Sequence, residues 1–155
     1  MAVIDLVVFE LNKTLYALDI TLAREIVEMM TPTPIPRSPP HVAGIINLRG
    51  EITKIIHLCT LLDIQENPDA ETRKIIILTS ADSEKSKIGI IVDDVKSVIA
   101  IEEDTIDTMD NAVSKEAYVK GIIKRKSETD NKETQLVIWI DLSKVLEELN
   151  FGLNQ

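Results

Sequence analysis

Cysteine occurs once in this chain, at Cys59, and aromatic side chains make up only 3% of it. A single thiol cannot form an internal disulfide, so nothing argues for an oxidising compartment. With so few rings, the interior has to be filled by Ile, Val and Leu, which suit strands better than helices. Positive charge is also short, and the formal net charge is −9. A groove that tracks phosphates needs a basic stripe, so nucleic acid is not an expected partner. The cluster Lys120, Lys124, Arg125, Lys126 reads instead as the solvated side of a hairpin. No apolar run approaches the ~20 residues that cross a bilayer as a helix. The opening "MAVIDLVVFEL" has no basic leader and is interrupted by Asp5 and Glu10, so it reads as a strand and not a signal peptide. By elimination, a reducing, cytoplasmic location is expected.

What the chain does have is apolar bulk, 45% of 155 residues, enough for one domain or for two small lobes sharing a core. "LVVFEL" (6–11) and "TLYALDI" (14–20) are strand-like runs joined at Asn12-Lys13, a two-residue hairpin turn. Val7, Phe9 and Leu11 fall on one face of the first run. In "TLAREIVEM" (21–29), Leu22, Ile26 and Met29 recur at helical spacing behind Thr21, a candidate N-cap, with an extended tail as the alternative for so short a segment. Five of the six prolines then fall within "PTPIPRSPP" (32–40), which reads as a stiff, extended connector. The alternative, a proline-rich ligand for an aromatic groove, is discounted because the segment lies inside the domain.

"GIINLRGEITKIIHL" (44–58) places a guanidinium and a glycine between two β-branched runs. It reads as a hairpin with Arg49 at its apex and Gly50 supplying a positive φ. An arginine held there can cap carbonyls, pair with a carboxylate or face a partner. "CTLLDI" follows as a helical turn, and the polar "ENPDAETR" (66–73) is the best internal boundary. It separates approximate lobes 1–66 and 72–150, with strand exchange between them left open. "KIIILTS" and "KIGIIVDDV" flank "ADSEKS" as a further hairpin, and "KSVIAI" (96–101) is a short strand. "YVKGIIKRK" and "TQLVIWIDL" flank the turn "SETDNKE". Leu142, Val145, Leu146 and Leu149 carry a C-terminal helix that Gly152 would end.

The order of events repeats. "YALDITLAREIVEM" corresponds to "IIVDDVKSVIAI", and "GIINLRGEITKIIHL" to "GIIKRK…TQLVIWIDL", at nearly the same offset. Two related β lobes of about five strands each follow. Runs such as "KIIIL" are apolar on both faces, as in strands of closed barrels or between lobes.

Candidates for catalysis are thin. His57 and Cys59 are two apart on an expected strand and share a face, but about 7 Å separates such positions at the backbone. A cysteine nucleophile needs a base within hydrogen-bond reach and an orienting third group. His41, His57 and Cys59 have no metal-ligand spacing. The acidic stretch Glu102, Glu103, Asp104, Asp107, Asp110 lacks the central glycine of a calcium loop. No Gly-rich phosphate loop or Gly-x-Ser-x-Gly elbow is present. No catalytic residue, cofactor or metal is expected, and a Cys/His-dependent small enzyme is the weakest reading.

"EIVE", the prolines, "VAGIINLRGEI", "GIIVDDV" and "YVKGII…LVIWIDLSKVL", in this order over roughly residues 4 to 150, resemble the chemotaxis coupling proteins, the CheW-like family. The resemblance implies a mostly β fold of two SH3-like, five-stranded β-barrel lobes with short helices and a C-terminal helix. It implies a non-catalytic adaptor that bridges chemoreceptor cytoplasmic tips to the regulatory domain of a chemotaxis histidine kinase. By motif, the receptor-binding positions would be Ala23, Glu25, Gly44, Arg49, Gly50, Gly89, Val95 and Val98, lining a groove between lobes. The kinase would meet apolar edge residues at a barrel end. Such a chain would be cytoplasmic and recruited to membrane receptor arrays, without inserting into the bilayer. A coupling protein of a non-chemotaxis array is the alternative. Lys54, His57 and Cys59 stand where the family usually reads Pro, Asp and Arg, and Ala23 stands where a larger aliphatic residue is common.

Overall fold

A computed structural model describes residues 2–79, 87–106, 118–126, 134–145 and 147. The strands are β1 (Val3–Leu11), β2 (Thr14–Asp19), β3 (Ala23–Glu28), β4 (Val42–Leu48) and β5 (Glu51–His57). After helix α1 (Leu58–Leu61) come β6 (Lys74–Leu78), β7 (Lys87–Val92), β8 (Asp94–Glu102), β9 (Val119–Lys126) and β10 (Thr134–Ile140). Residues 142–145 and 147 are helical, while Leu146, Leu149 and Gly152 of the expected C-terminal helix lie outside the described residues. So do Asp107 and Asp110 of the acidic stretch and the connections "ADSEKS" and "SETDNKE".

The strands form two five-stranded sheets, in the orders β8-β1-β2-β10-β9 and β3-β6-β7-β5-β4. Each sheet draws strands from both sides of the polar stretch 66–73. Each contains two antiparallel hairpins, β1/β2 and β9/β10 or β6/β7 and β4/β5, joined by one parallel pair, β2/β10 or β5/β7. β3 and β8 are then equivalent outer strands, pairing antiparallel with β6 and β1. The repeat read in the sequence is therefore the repeat of the fold: β2–β3 matches β7–β8, and β4–β5 matches β9–β10.

The closed barrels expected from the resemblance are not what forms. A barrel requires its first and last strands to exchange backbone hydrogen bonds. Among the described residues, β8 does not pair with β9, nor β3 with β4, so both sheets are open. The physical reason lies at the edges. Pro32, Pro34 and Pro36 remove donors from the segment before β4, which adds only the single bridge Thr33–Ile45. Bulges at Ala23/Glu25 and Val42/Gly44 shift the register of both outer strands of the second sheet. β3 also carries Arg24, Glu25 and Glu28, and β8 carries Asp94, Lys96 and Glu102. Charged edges of this kind resist further pairing.

A second correction concerns residues 21–29. A single 3₁₀ turn covers Ile20–Leu22, and the chain then enters β3 with half-buried and exposed residues alternating strictly. Pairing with β6, apolar from Ile75 to Leu78, outweighs the local helical spacing. Ile26 and Met29, two of the residues at that spacing, are 42% and 37% exposed.

Among the described residues, three apolar clusters hold the fold. The largest lies between the sheets and takes Val7, Phe9, Leu11 and Leu18 from the first and Ile56, Ile76, Ile90 and Val92 from the second. The opposite faces of the same strands fill cores of their own. Leu6, Val8, Val137 and Trp139 belong to the first sheet's core, Ile55, Ile75, Ile77 and Ile91 to the second's. This explains why β1, β6 and β7 are apolar on both faces, and each fully buried Ile or Leu contributes about 1.5–3 kcal/mol.

Equivalent aspartates close the equivalent strands. Asp93, buried after β7, accepts the Asn12 N–H at 2.7 Å and so ties the β1/β2 turn to the second sheet. Asp19, ending β2, accepts the Trp139 indole N–H at 2.9 Å, with Lys120 Nζ 5.0 Å from the indole ring. Asp19→Ala leaves that buried indole N–H unpaired and is expected to cost about 1–3 kcal/mol. Urea unfolding followed by the fluorescence of Trp139, the chain's one tryptophan, checks this.

Candidate functional site

The β4/β5 hairpin turns on Arg49 and Gly50, with φ of 51° and 84°. Both lie in the left-handed region that a primed two-residue turn requires. A Cβ on Gly50 would meet nothing within 4 Å, so glycine serves the backbone there and not close packing. The Arg49 side chain is 65% exposed, and its guanidinium forms an ion pair with Glu25 of β3. β3 and β4 are the two free edges of this sheet, so a side-chain ion pair spans a gap that no backbone ladder closes.

A second ion pair, Lys87–Glu51, lies beside the first. Arg24, Glu25, Arg49, Glu51, Thr53 and Lys87 together line a hollow of about 50 Å³ at this end of the sheet. Desolvation, then the guanidiniums of Arg24 and Arg49, hold the Lys87 ammonium below the usual lysine pKa, with Glu25 opposing.

The other expected site residues divide by burial. Gly44 is inside: its φ is 145°, and a Cβ would sit 2.2 Å from the Thr33 carbonyl oxygen. Gly89 is also inside, where a Cβ would lie 2.8 Å from Ile75 Cγ2 and 3.1 Å from the Cδ1 atoms of Ile55 and Ile77. Both glycines allow close packing beneath the surface. Ala23 on β3 and Val95 on β8 are half-buried and flank the cluster between the sheets. Val98, three residues further along β8, is 56% exposed. The structure thus gathers Glu25, Arg49 and Gly50 at one surface, sets Ala23 and Val95 along the intersheet core, and leaves Val98 on the other sheet. Arg24, Glu51, Thr53 and Lys87 were not singled out in the sequence. The parallel register of β5 and β7, with Thr53 opposite Lys87, joins distant segments and leaves no local pattern.

His57 and Cys59 are not a strand pair. His57 ends β5, and Cys59 is buried in α1. Burial, then Asp93 and Glu66, push the Cys59 thiol up to about 11, with Arg73 opposing. His57 Nδ1 lies 3.5 Å from Glu66 Oε1, and no hydrogen bond joins His57 to Cys59 among the described residues. A thiol kept protonated at neutral pH is a poor nucleophile. The native protein is therefore expected to resist a maleimide at pH 8 and to react fully once unfolded. Because the folded thiol titrates above an unfolded one, its stabilising contribution is complete below about pH 8.5. It is lost as pH rises through about 11. A pH series of unfolding midpoints, wild type against Cys59→Ser, checks this.

A family model described as a CheW-like domain matches residues 5–150. The chain belongs to the CheW-like family. The chemotaxis protein CheW of Bacillus subtilis is 32% identical over 145 residues, covering 92% of this chain and 86% of that protein. CheW of Thermotoga maritima is 30% identical over 141 residues, covering 91% and 86%. Among solved structures, the scaffolding protein TtCheW of Thermoanaerobacter tengcongensis aligns with a TM-score of 0.74 at 34% identity, covering 92% of this chain and 86% of that one. Members of this family are non-catalytic adaptors. Among the described residues no helix is long and apolar enough to cross a membrane, and no group of three or more metal-ligating side chains converges.

Proposed function

We propose that this chain couples the cytoplasmic tips of chemoreceptors to the regulatory domain of a chemotaxis histidine kinase by protein–protein contact, acting in the cytoplasm at receptor arrays. The observation that carries the reading is Arg49: a largely exposed guanidinium, ion-paired to a neighbouring edge strand and held at a turn whose backbone has little freedom. Arginines fixed in this way are the residue type enriched at binding hot spots. Glu25 and Gly50 would face the receptor with it. Ala23 and Val95, beside the intersheet core, and exposed Val98 would extend the surface for the apolar face of a receptor helix. Gly44 and Gly89 would act from beneath, by setting the backbone positions of β4 and β7. The kinase contact is assigned to apolar edge residues of a sheet.

The test is co-sedimentation of the purified chain with receptor-tip fragments and with the kinase regulatory domain. Saturable binding to each, and to both at once, is the expected result. Failure to bind either partner contradicts the reading.

A further inference from the structure

Thr53 sits in the middle of β5 with no exposed surface, and its hydroxyl has no hydrogen-bond partner among the described residues. An unpaired buried hydroxyl costs stability, and native interiors retain few without a use. Thr53 faces the hollow of about 50 Å³ under the β4/β5 apex, a space the size of a carboxylate and too small for a ring.

The charges around that hollow do not balance. Arg49 is paired with Glu25 and Lys87 with Glu51, whereas Arg24 has no ion-pair partner among the described residues. Three cations therefore meet two carboxylates, on a chain whose net charge is −9. Desolvation first, and then the guanidiniums of Arg24 and Arg49, lower the Lys87 pKa, and the second of these causes expresses the same imbalance. One further anion would relieve it, and a hydroxyl is the neutral donor that such an anion could use.

We propose that this hollow is a subsite for one carboxylate of the receptor helix, an aspartate or glutamate side chain held among Arg24, Arg49 and Lys87 and accepting the Thr53 O–H. The proposal rests on the receptor reading above and adds to it the chemistry of one contact.

The test titrates the full chain, by calorimetry, with a receptor-tip hairpin fragment. The same fragment is then used with each acidic residue changed in turn to its amide. Thr53→Val keeps the side-chain shape, so cooperative unfolding is expected, while binding of the unaltered fragment weakens roughly tenfold. One amide fragment should lose a similar factor against wild type and show no further loss against Thr53→Val. Thr53→Ser, which keeps the hydroxyl, should bind as wild type does. If Thr53→Val fails to fold, Arg24→Gln on the exposed edge replaces it, with a several-fold loss expected only for fragments that retain the critical carboxylate. Wild-type affinity in Thr53→Val or Arg24→Gln, together with lost affinity in Arg49→Ala, overturns the subsite and leaves the receptor reading standing. Unchanged affinity in all of these variants removes the subsite and takes Arg49 out of the receptor surface, whereas a wild-type chain that binds no fragment removes the receptor reading itself.

Discussion

Replacing Arg49 by alanine is expected to weaken binding to a receptor-tip fragment by about 30-fold, the scale of a hot-spot side chain near 2 kcal/mol. The fold should barely register the change. The guanidinium is 65% exposed, and an exposed ion pair contributes about 0–1 kcal/mol after screening and side-chain entropy. For a chain of this size that amounts to a midpoint shift of at most about 4 °C. The separation of the two effects is the informative part. Calorimetric affinity and thermal unfolding, measured on one preparation, should show a large loss in the first and almost none in the second. Equal losses in both would make Arg49 a structural clamp between β3 and the hairpin. Unchanged affinity would remove it from the interface.

Gly44→Ala is expected to behave in the opposite way. Its backbone, at φ 145°, lies in a region that side chains rarely adopt, and the new Cβ would be driven to 2.2 Å from the Thr33 carbonyl oxygen. That oxygen accepts the Ile45 N–H at 2.9 Å, and Thr33 N–H donates back to Ile45 at 2.8 Å. The methyl can be accommodated only by opening this bridge and moving the proline connector away from β4. Backbone strain of about 1–3 kcal/mol, added to the lost bridge, sets the expected destabilisation at roughly 2–4 kcal/mol. The unfolding midpoint should fall by about 5–15 °C. At temperatures where the variant remains folded, receptor affinity should drop less than in Arg49→Ala, because Gly44 lies beneath the surface. A midpoint within about 2 °C of wild type would mean that the connector yields freely and that β4 does not depend on it.

Features set by neighbouring residues were readable in the sequence; those set by distant pairing were not. Asn12-Lys13 and Arg49-Gly50 could be placed at hairpin turns because left-handed backbone is a demand on two adjacent positions, and all four residues do adopt positive φ. The internal repeat was legible as well, since each copy keeps its strands in the same order. The stretch 21–29 misled because Leu22, Ile26 and Met29 imitate a helix, and only the β6 partner reveals a strand. Sheet closure is a property of edges, which Pro32, Pro34 and Pro36 and the bulges decide far from the strands they leave open. The same limit governs the site. Arg49 announced itself by interrupting two apolar runs, whereas Lys87 and Thr53 meet only through the parallel β5/β7 register. Gly44 and Gly89 were recognisable as residues of interest, but their burial became visible only with Thr33 and Ile75 in place.

The most direct measurement is the autophosphorylation rate of the chemotaxis kinase with receptor fragments present, with and without this chain. The account predicts that adding the chain raises the rate saturably, that the chain itself turns nothing over, and that Arg49→Ala at the same concentration fails to raise it. A kinase rate indifferent to the chain, with folded protein and receptor fragments both in excess, would contradict the account.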